Sequence, residues 1–228
     1  MTEQARKVLA LVDALNRAFA SHTEVHAVQR LMNGIENATR TGSEVRKISP
    51  HVPAHLETEF TQAVDDIPQA LGEVSKALKA AAPFLAWKAD DASGNGYYEG
   101  GADVGRSYSE GNMCCPLVGP ANSFIESNEV LLVLFFLKSR TLYRDHVHSA
   151  SEIYLNLTGP HGFRLGDADW ADYAAGSVIW NKPWAAHATR IYSRPFLAAV
   201  SWVSDINCTI KVTPREDWAQ LEAQLLQS

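Results

Sequence analysis

Apolar residues in the first ninety positions recur at spacings of three and four. In ARKVLALVDALNRAF, Val8, Leu11, Val12 and Leu15 form one stripe of a helix. Val25, Val28, Leu31 and Ile35 continue the pattern over residues 23–40. After the breakers Ser49-Pro50 and Val52-Pro53, AHLETEFTQAVDDI predicts another helix. PQALGEVSKALKAAAPFLAW predicts one more, with Leu71, Val74, Leu78 and Ala81 on one face and Pro68 near its start.

The pattern changes near residue 91. DDASGNGYYEGGADVG is rich in glycine and aspartate and reads as a loop. From there to about residue 212 the chain reads as strands. EVLLVLFFLK is a continuous apolar run, as expected of a strand covered on both faces. EIYLNLTG, GSVIWN, ATRIYS and FLAAVSWVS are short, aromatic or β-branched, and separated by turn residues. Such spacing predicts a sandwich or small barrel, and the absence of βαβ alternation argues against a Rossmann-type sheet. The end turns helical again. Thr213-Pro214-Arg215-Glu216 reads as a capping box with proline at the first helical position, followed by Trp218, Leu221 and Leu225 on one face.

Composition narrows the function classes. Of 228 residues, 46% are hydrophobic and 20% charged, which suits a packed core. The net charge of −6 and the absence of a basic block argue against a nucleic-acid partner. The N-terminus does not read as a secretory signal, and VLLVLFFL is too short to span a bilayer, so no membrane partner and a cytoplasmic location are expected. Cys114, Cys115 and Cys208 form no CxxC pair and read as free thiols in a reducing compartment.

The chemistry concentrates in RTLYRDHVHSASEIYLNLTG. Residues two apart on a strand share a face, so His146 pairs with His148, and Glu152 with Tyr154. A bend between the pairs lets all four converge, and imidazole and carboxylate are ligands for a divalent transition metal. His187, in GSVIWNKPWAAH, is the candidate to complete the set. His22, His26, His51 and His55 lie among polar residues and read as surface side chains.

HVHSASEIYLNLTG resembles the first conserved motif of the cupin superfamily, with His146, His148, Glu152 and Gly159 at its fixed positions. GSVIWNKPWAAH resembles the second, with Gly176 and His187 in place. The chain departs from those motifs at four places. Arg140 and Trp184 stand at expected glycines, Ile191 at an expected asparagine, and the proline is shifted to Pro183. The resemblance implies a mainly β fold with α: a cupin-type antiparallel jelly-roll β-barrel, preceded by an N-terminal helical segment and closed by a C-terminal helix. The expected division is a helical segment over residues 1–92, packed on a barrel with its C-terminal helix over residues 93–228.

Tyr143, His148, Glu152, Tyr154 and His187 together resemble the site of the cupin-type dimethylsulfoniopropionate lyases, the DddL/DddQ type. The long N-terminal segment is closer to the DddL branch. That resemblance implies a carbon–sulfur lyase that cleaves dimethylsulfoniopropionate, a zwitterionic sulfonium carboxylate, to dimethyl sulfide and acrylate by β-elimination. It implies one divalent metal ion (Zn, Fe, Mn, Co or Ni) on His146, His148, Glu152 and His187. Tyr143 is assigned the base, and Tyr154 contact with the metal. For the sulfonium, Trp180, Trp184, Tyr192, Trp202, Phe135 and Tyr108 are the aromatic candidates, with Trp180 and Trp184 first. Two rivals share the ligands: another cupin enzyme, such as an iron-dependent dioxygenase, and a non-catalytic ligand-binding cupin. The N-terminal helices could cap the barrel or build a homodimer.

Overall fold

The structure is a computed structural model that describes residues 1–40, 45–90, 92, 94, 96–120 and 122–227. Part of the expected loop, at Asp91, Ser93 and Asn95, lies outside the described residues. The apolar stripes of the first ninety positions become α1 (Glu3–Phe19), α2 (His26–Arg40), α3 (Glu57–Asp65) and α4 (Gly72–Ala81). Thr2 caps α1 by accepting from the Ala5 N–H. A short helix, α5 (Arg106–Ser109), leads into the strands.

Two sheets follow. The first contains β1 (Asn112–Gly119), β2 (Ile125–Glu126), β3 (Leu131–Leu137), β5 (Glu152–Asn156), β8 (Val178–Asn181) and β10 (Phe196–Trp202), in the order β2-β1-β3-β10-β5-β8. The second contains β4 (Leu142–Val147), β6 (His161–Leu165), β7 (Ala171–Tyr173), β9 (His187–Arg190) and β11 (Lys211–Val212), in the order β11-β4-β9-β6-β7. Between these strands every pairing is antiparallel except the parallel β1–β2 pair. Phe135, Tyr154 and Val200 from the first sheet meet Tyr143 and Phe163 from the second in one interior cluster. This is the cupin-type barrel expected from the sequence.

Strand β3 shows how one apolar run serves two cores. Leu132, Leu134 and Phe136 pack with α1 to α4, whereas Leu131, Val133, Phe135 and Leu137 point into the barrel. Alternation along a pleated strand makes this division, and each fully buried side chain contributes about 1.5–3 kcal/mol. The helices therefore share their core with the outer face of the first sheet.

The C-terminal helix, α6 (Trp218–Gln227), begins later than the capping box predicts. Tertiary contacts claim the intervening segment. The Thr213 N–H donates to the Asp145 carbonyl, and Asp217 accepts from Arg164. Trp218, Leu221 and Leu225 then pack on Leu142, on the outer face of the second sheet. Among the described residues, no helix is long and apolar enough to cross a membrane. Cys114, Cys115 and Cys208 are free, the first two buried.

Candidate metal centre and cavity

His146 and His187 face each other directly across the β4–β9 pair. Their ring centroids lie 4.1 Å apart, and the His148 ring lies 5.0 Å from that of His187. The three offer ligand nitrogens within 4.8 Å of one another, and all three residues are buried. His146 Nδ1 donates to the Arg144 carbonyl at 2.7 Å, and His187 Nδ1 to the Ala185 carbonyl at 2.9 Å. In the neutral rings this leaves the Nε2 lone pairs free. His146 Nε2 is buried with no hydrogen-bond partner. Such an orphaned acceptor among three converging imidazoles fits a transition-metal ion.

Glu152 closes the group. Its Oε2 lies 3.4 Å from His148 Nε2 and 3.1 Å from His187 Nε2. Asn181 Nδ2 donates to Oε2 at 2.8 Å, and Trp202 Nε1 to Oε1 at 2.8 Å. Both donors are cross-strand neighbours: Glu152 is paired with Asn181 on β8 and with Trp202 on β10. The sequence reading missed Asn181, and weighed Trp202 only as a sulfonium contact. Their roles depend on register, which no local motif encodes.

Burial works to raise the Glu152 pKa, but the neighbouring His148 and His187 outweigh it and hold the carboxyl well below its usual range. Burial likewise works to lower the His148 pKa, and the Glu152 carboxylate reverses the sign and raises it. His146, pressed by burial and by His187 and His148, titrates well below its ordinary value.

A β-bulge brings Tyr143 to the same site. In a regular strand, residues three apart face opposite sides. The register between β4 and β9 slips between Tyr143 and His146, so both turn into the barrel, with ring centroids 4.2 Å apart. Tyr143 stacks on Tyr108 with centroids 4.7 Å apart and planes 7° from parallel. Burial raises the Tyr143 phenol well above its ordinary pKa, Tyr108, Tyr154 and Glu152 add to this, and a hydrogen bond from Tyr98 opposes it. Tyr154 is raised as well, by burial first and then by the Glu152 carboxylate that accepts its hydroxyl.

A cavity of about 40 Å³ adjoins these groups. Tyr143, Glu152, Tyr154, Asp90, Tyr97 and Trp202 all line it. Phe135 and Tyr108 also line it, as the sequence reading allowed. Trp180, Trp184 and Tyr192 do not, which corrects their placement as leading sulfonium contacts. Alternation on β8 turns Asn181 inward and Trp180 outward, where Trp180 is 40% exposed and donates to Ser151. Trp184 is 66% exposed. The Tyr192 hydroxyl donates to Asp172 on the outer surface.

The two motif glycines that this chain replaces keep glycine-like backbones. Arg140 has φ +57° and Trp184 φ +63°, both in the left-handed region. Both positions therefore hold a backbone conformation that glycine favours, although neither is glycine.

Two facing antiparallel sheets around three buried histidines and a glutamate define a cupin-type protein with a candidate metal centre. A protein-family model described as dimethylsulfoniopropionate lyase matches residues 6–198, and the chain belongs to that family. Dimethylsulfoniopropionate lyase DddQ of Ruegeria pomeroyi is 28% identical over 106 residues, which cover 46% of this chain and 52% of that one. The match thus spans about half the length of this curated relative. A crystal structure from work on the lyases RdDddP and RnDddQII aligns with 92% of this chain and 100% of its own, at TM-score 0.67 and 17% identity. The crystal structure of DddQ from Ruegeria pomeroyi DSS-3 aligns with 90% of this chain and 98% of its own, at TM-score 0.62 and 22% identity. At these identities the structural likeness is one of fold. The named relatives include the DddQ type; kinship with the DddL branch stays an expectation.

Proposed function

We propose that this chain is a metal-dependent carbon–sulfur lyase that cleaves dimethylsulfoniopropionate to dimethyl sulfide and acrylate. The observation that carries the reading is the bulge that sets Tyr143 beside the three-histidine cluster, within a family of this activity. His146, His148, Glu152 and His187 would hold one divalent transition metal ion. Bound there, the ion supplies positive charge that polarises a substrate carboxylate and favours a neighbouring phenolate.

The residues of the chain do the rest. As the phenolate that the ion would favour, Tyr143 takes the proton from the carbon next to the carboxylate and becomes the neutral phenol. The electrons of that C–H bond form the carbon–carbon double bond of acrylate. The C–S bond breaks, and its electrons leave on sulfur, so the sulfonium departs as neutral dimethyl sulfide. Tyr154, whose phenol feels the neighbouring Glu152 carboxylate, is assigned contact with the metal. Burial of Glu152 and the histidines keeps bulk water from competing for the site.

The division into a helical segment (1–92) and a barrel (93–228), a cytoplasmic location and a small zwitterionic partner belong to the same proposal. The test is headspace dimethyl sulfide, with acrylate in equal amount, from metal-loaded protein and dimethylsulfoniopropionate. No gas above a chelated control would sink the lyase reading. Oxygen consumption would favour the dioxygenase instead.

A further inference from the structure

Asp90 is a buried carboxyl group, 5% exposed, outside the metal cluster. It lines the inner cavity and also an outer vestibule of about 360 Å³. Tyr97 and Trp202 line both spaces too, and their rings meet edge to face at 5.5 Å. Asp90 Oδ1 accepts from the Ala92 N–H at 3.0 Å, and Oδ2 from the Tyr97 N–H at 2.8 Å. Both donors are backbone N–H groups, which orient the carboxyl group. Among the described residues, no Lys, Arg or His forms an ion pair with it. Lys88 lines the outer vestibule, where it is exposed, and not the inner cavity.

The inner cavity has no Lys, Arg or His in its lining among the described residues. Its charged groups are Asp90 and Glu152. Burial, and after it charges that include that of Asp90, keep the Tyr97 and Tyr108 phenols protonated, so both present neutral π faces. Among the described residues Asp90 meets N–H donors and no cation, so a cationic ligand group can supply the opposite charge. A sulfonium has no N–H or O–H to donate. It can be recognised only by charge and by aromatic faces, and this space offers both.

We propose that Asp90, with the rings of Tyr97, Tyr108 and Trp202, forms the subsite for an onium cation at one end of a zwitterionic substrate. The inference rests on the lyase reading and adds the group that selects the charged end. Gly96 is part of the construction: a Cβ there would lie 2.5 Å from the Asp90 carboxyl group, so a side chain at this position would collide with it.

The test compares two ligands of one shape, cationic 3-(trimethylammonio)propanoate and neutral 4,4-dimethylpentanoate, by calorimetric titration of the metal-loaded protein. Wild type is expected to prefer the cation roughly tenfold or more. Asp90→Asn is expected to bring that ratio close to unity by weakening the cation alone. If Asp90 only organises its loop, both affinities fall together and the ratio stays, which overturns the proposal. A wild-type ratio near one overturns it as well, whether or not the variant folds. Onium preference in a protein that releases no dimethyl sulfide would leave the subsite standing and remove the lyase reading. Dimethyl sulfide release with no onium preference would do the reverse.

Discussion

Trp202 Nε1 donates to Glu152 Oε1 at 2.8 Å, from the strand next to the one that carries the glutamate. With Asn181 on the other side, it leaves Glu152 one orientation, facing His148 and His187. Partners that orient a metal ligand typically account for about 10–100-fold in metal affinity. Trp202→Phe keeps an aromatic ring, though a smaller one, and removes the donor. Its affinity for Zn, read by competition with a chromogenic chelator, is expected to fall about tenfold. Unchanged affinity would show that Asn181 alone suffices.

His161 predicts a pH dependence away from the centre. Burial lowers its pKa from 6.5 to about 4, with Asp172 opposing. Its unfolded form binds a proton at higher pH than its folded form. The stability that neutral His161 contributes is therefore complete above pH 6.5 and is lost as pH falls towards 4. The loss is of the order of 3 kcal/mol. Urea unfolding of the metal-free protein at pH 7.5 and 4.5 should show a larger drop for wild type than for His161→Gln. Equal drops would remove His161 from the account.

Trp184 sits at φ +63° and is 66% exposed, so it carries a backbone penalty with little packing in return. A left-handed conformation costs a side-chain-bearing residue about 1–2 kcal/mol, which glycine avoids. Trp184→Gly is expected to raise unfolding stability by about 0.5–1 kcal/mol, after the entropy cost of glycine. It should leave turnover of dimethylsulfoniopropionate unchanged, because the side chain lies outside the cavity. A large loss of turnover would return Trp184 to the substrate site.

The sequence made the elements legible where periodicity is strong. The helices of residues 3–81 and the doubly covered β3 follow from spacing alone. The histidines and Glu152 were legible because alternation on a strand and a short bend bring them together. Three features were not. The bulge between Tyr143 and His146 depends on how β4 pairs with β9. The hydrogen bonds to Glu152 depend on register across three strands. Asp90 is itself positioned by a contact distant in sequence, the bond between its N–H and Asn112 Oδ1. The same reasoning misplaced Trp180, since its proximity to His187 in sequence says nothing of which face of β8 it takes.

The central claim is that Tyr143, turned inward by the bulge, removes the proton beside a metal-bound centre. Tyr143→Phe preserves the ring stacked on Tyr108 and deletes the oxygen. The direct measurement is the turnover of dimethylsulfoniopropionate by this variant, with metal content determined on the same sample. The account predicts one metal ion per chain, as in wild type, and turnover reduced by about 10²–10⁴-fold. Turnover equal to wild type at full metal content would contradict it, and would move the base to Tyr154.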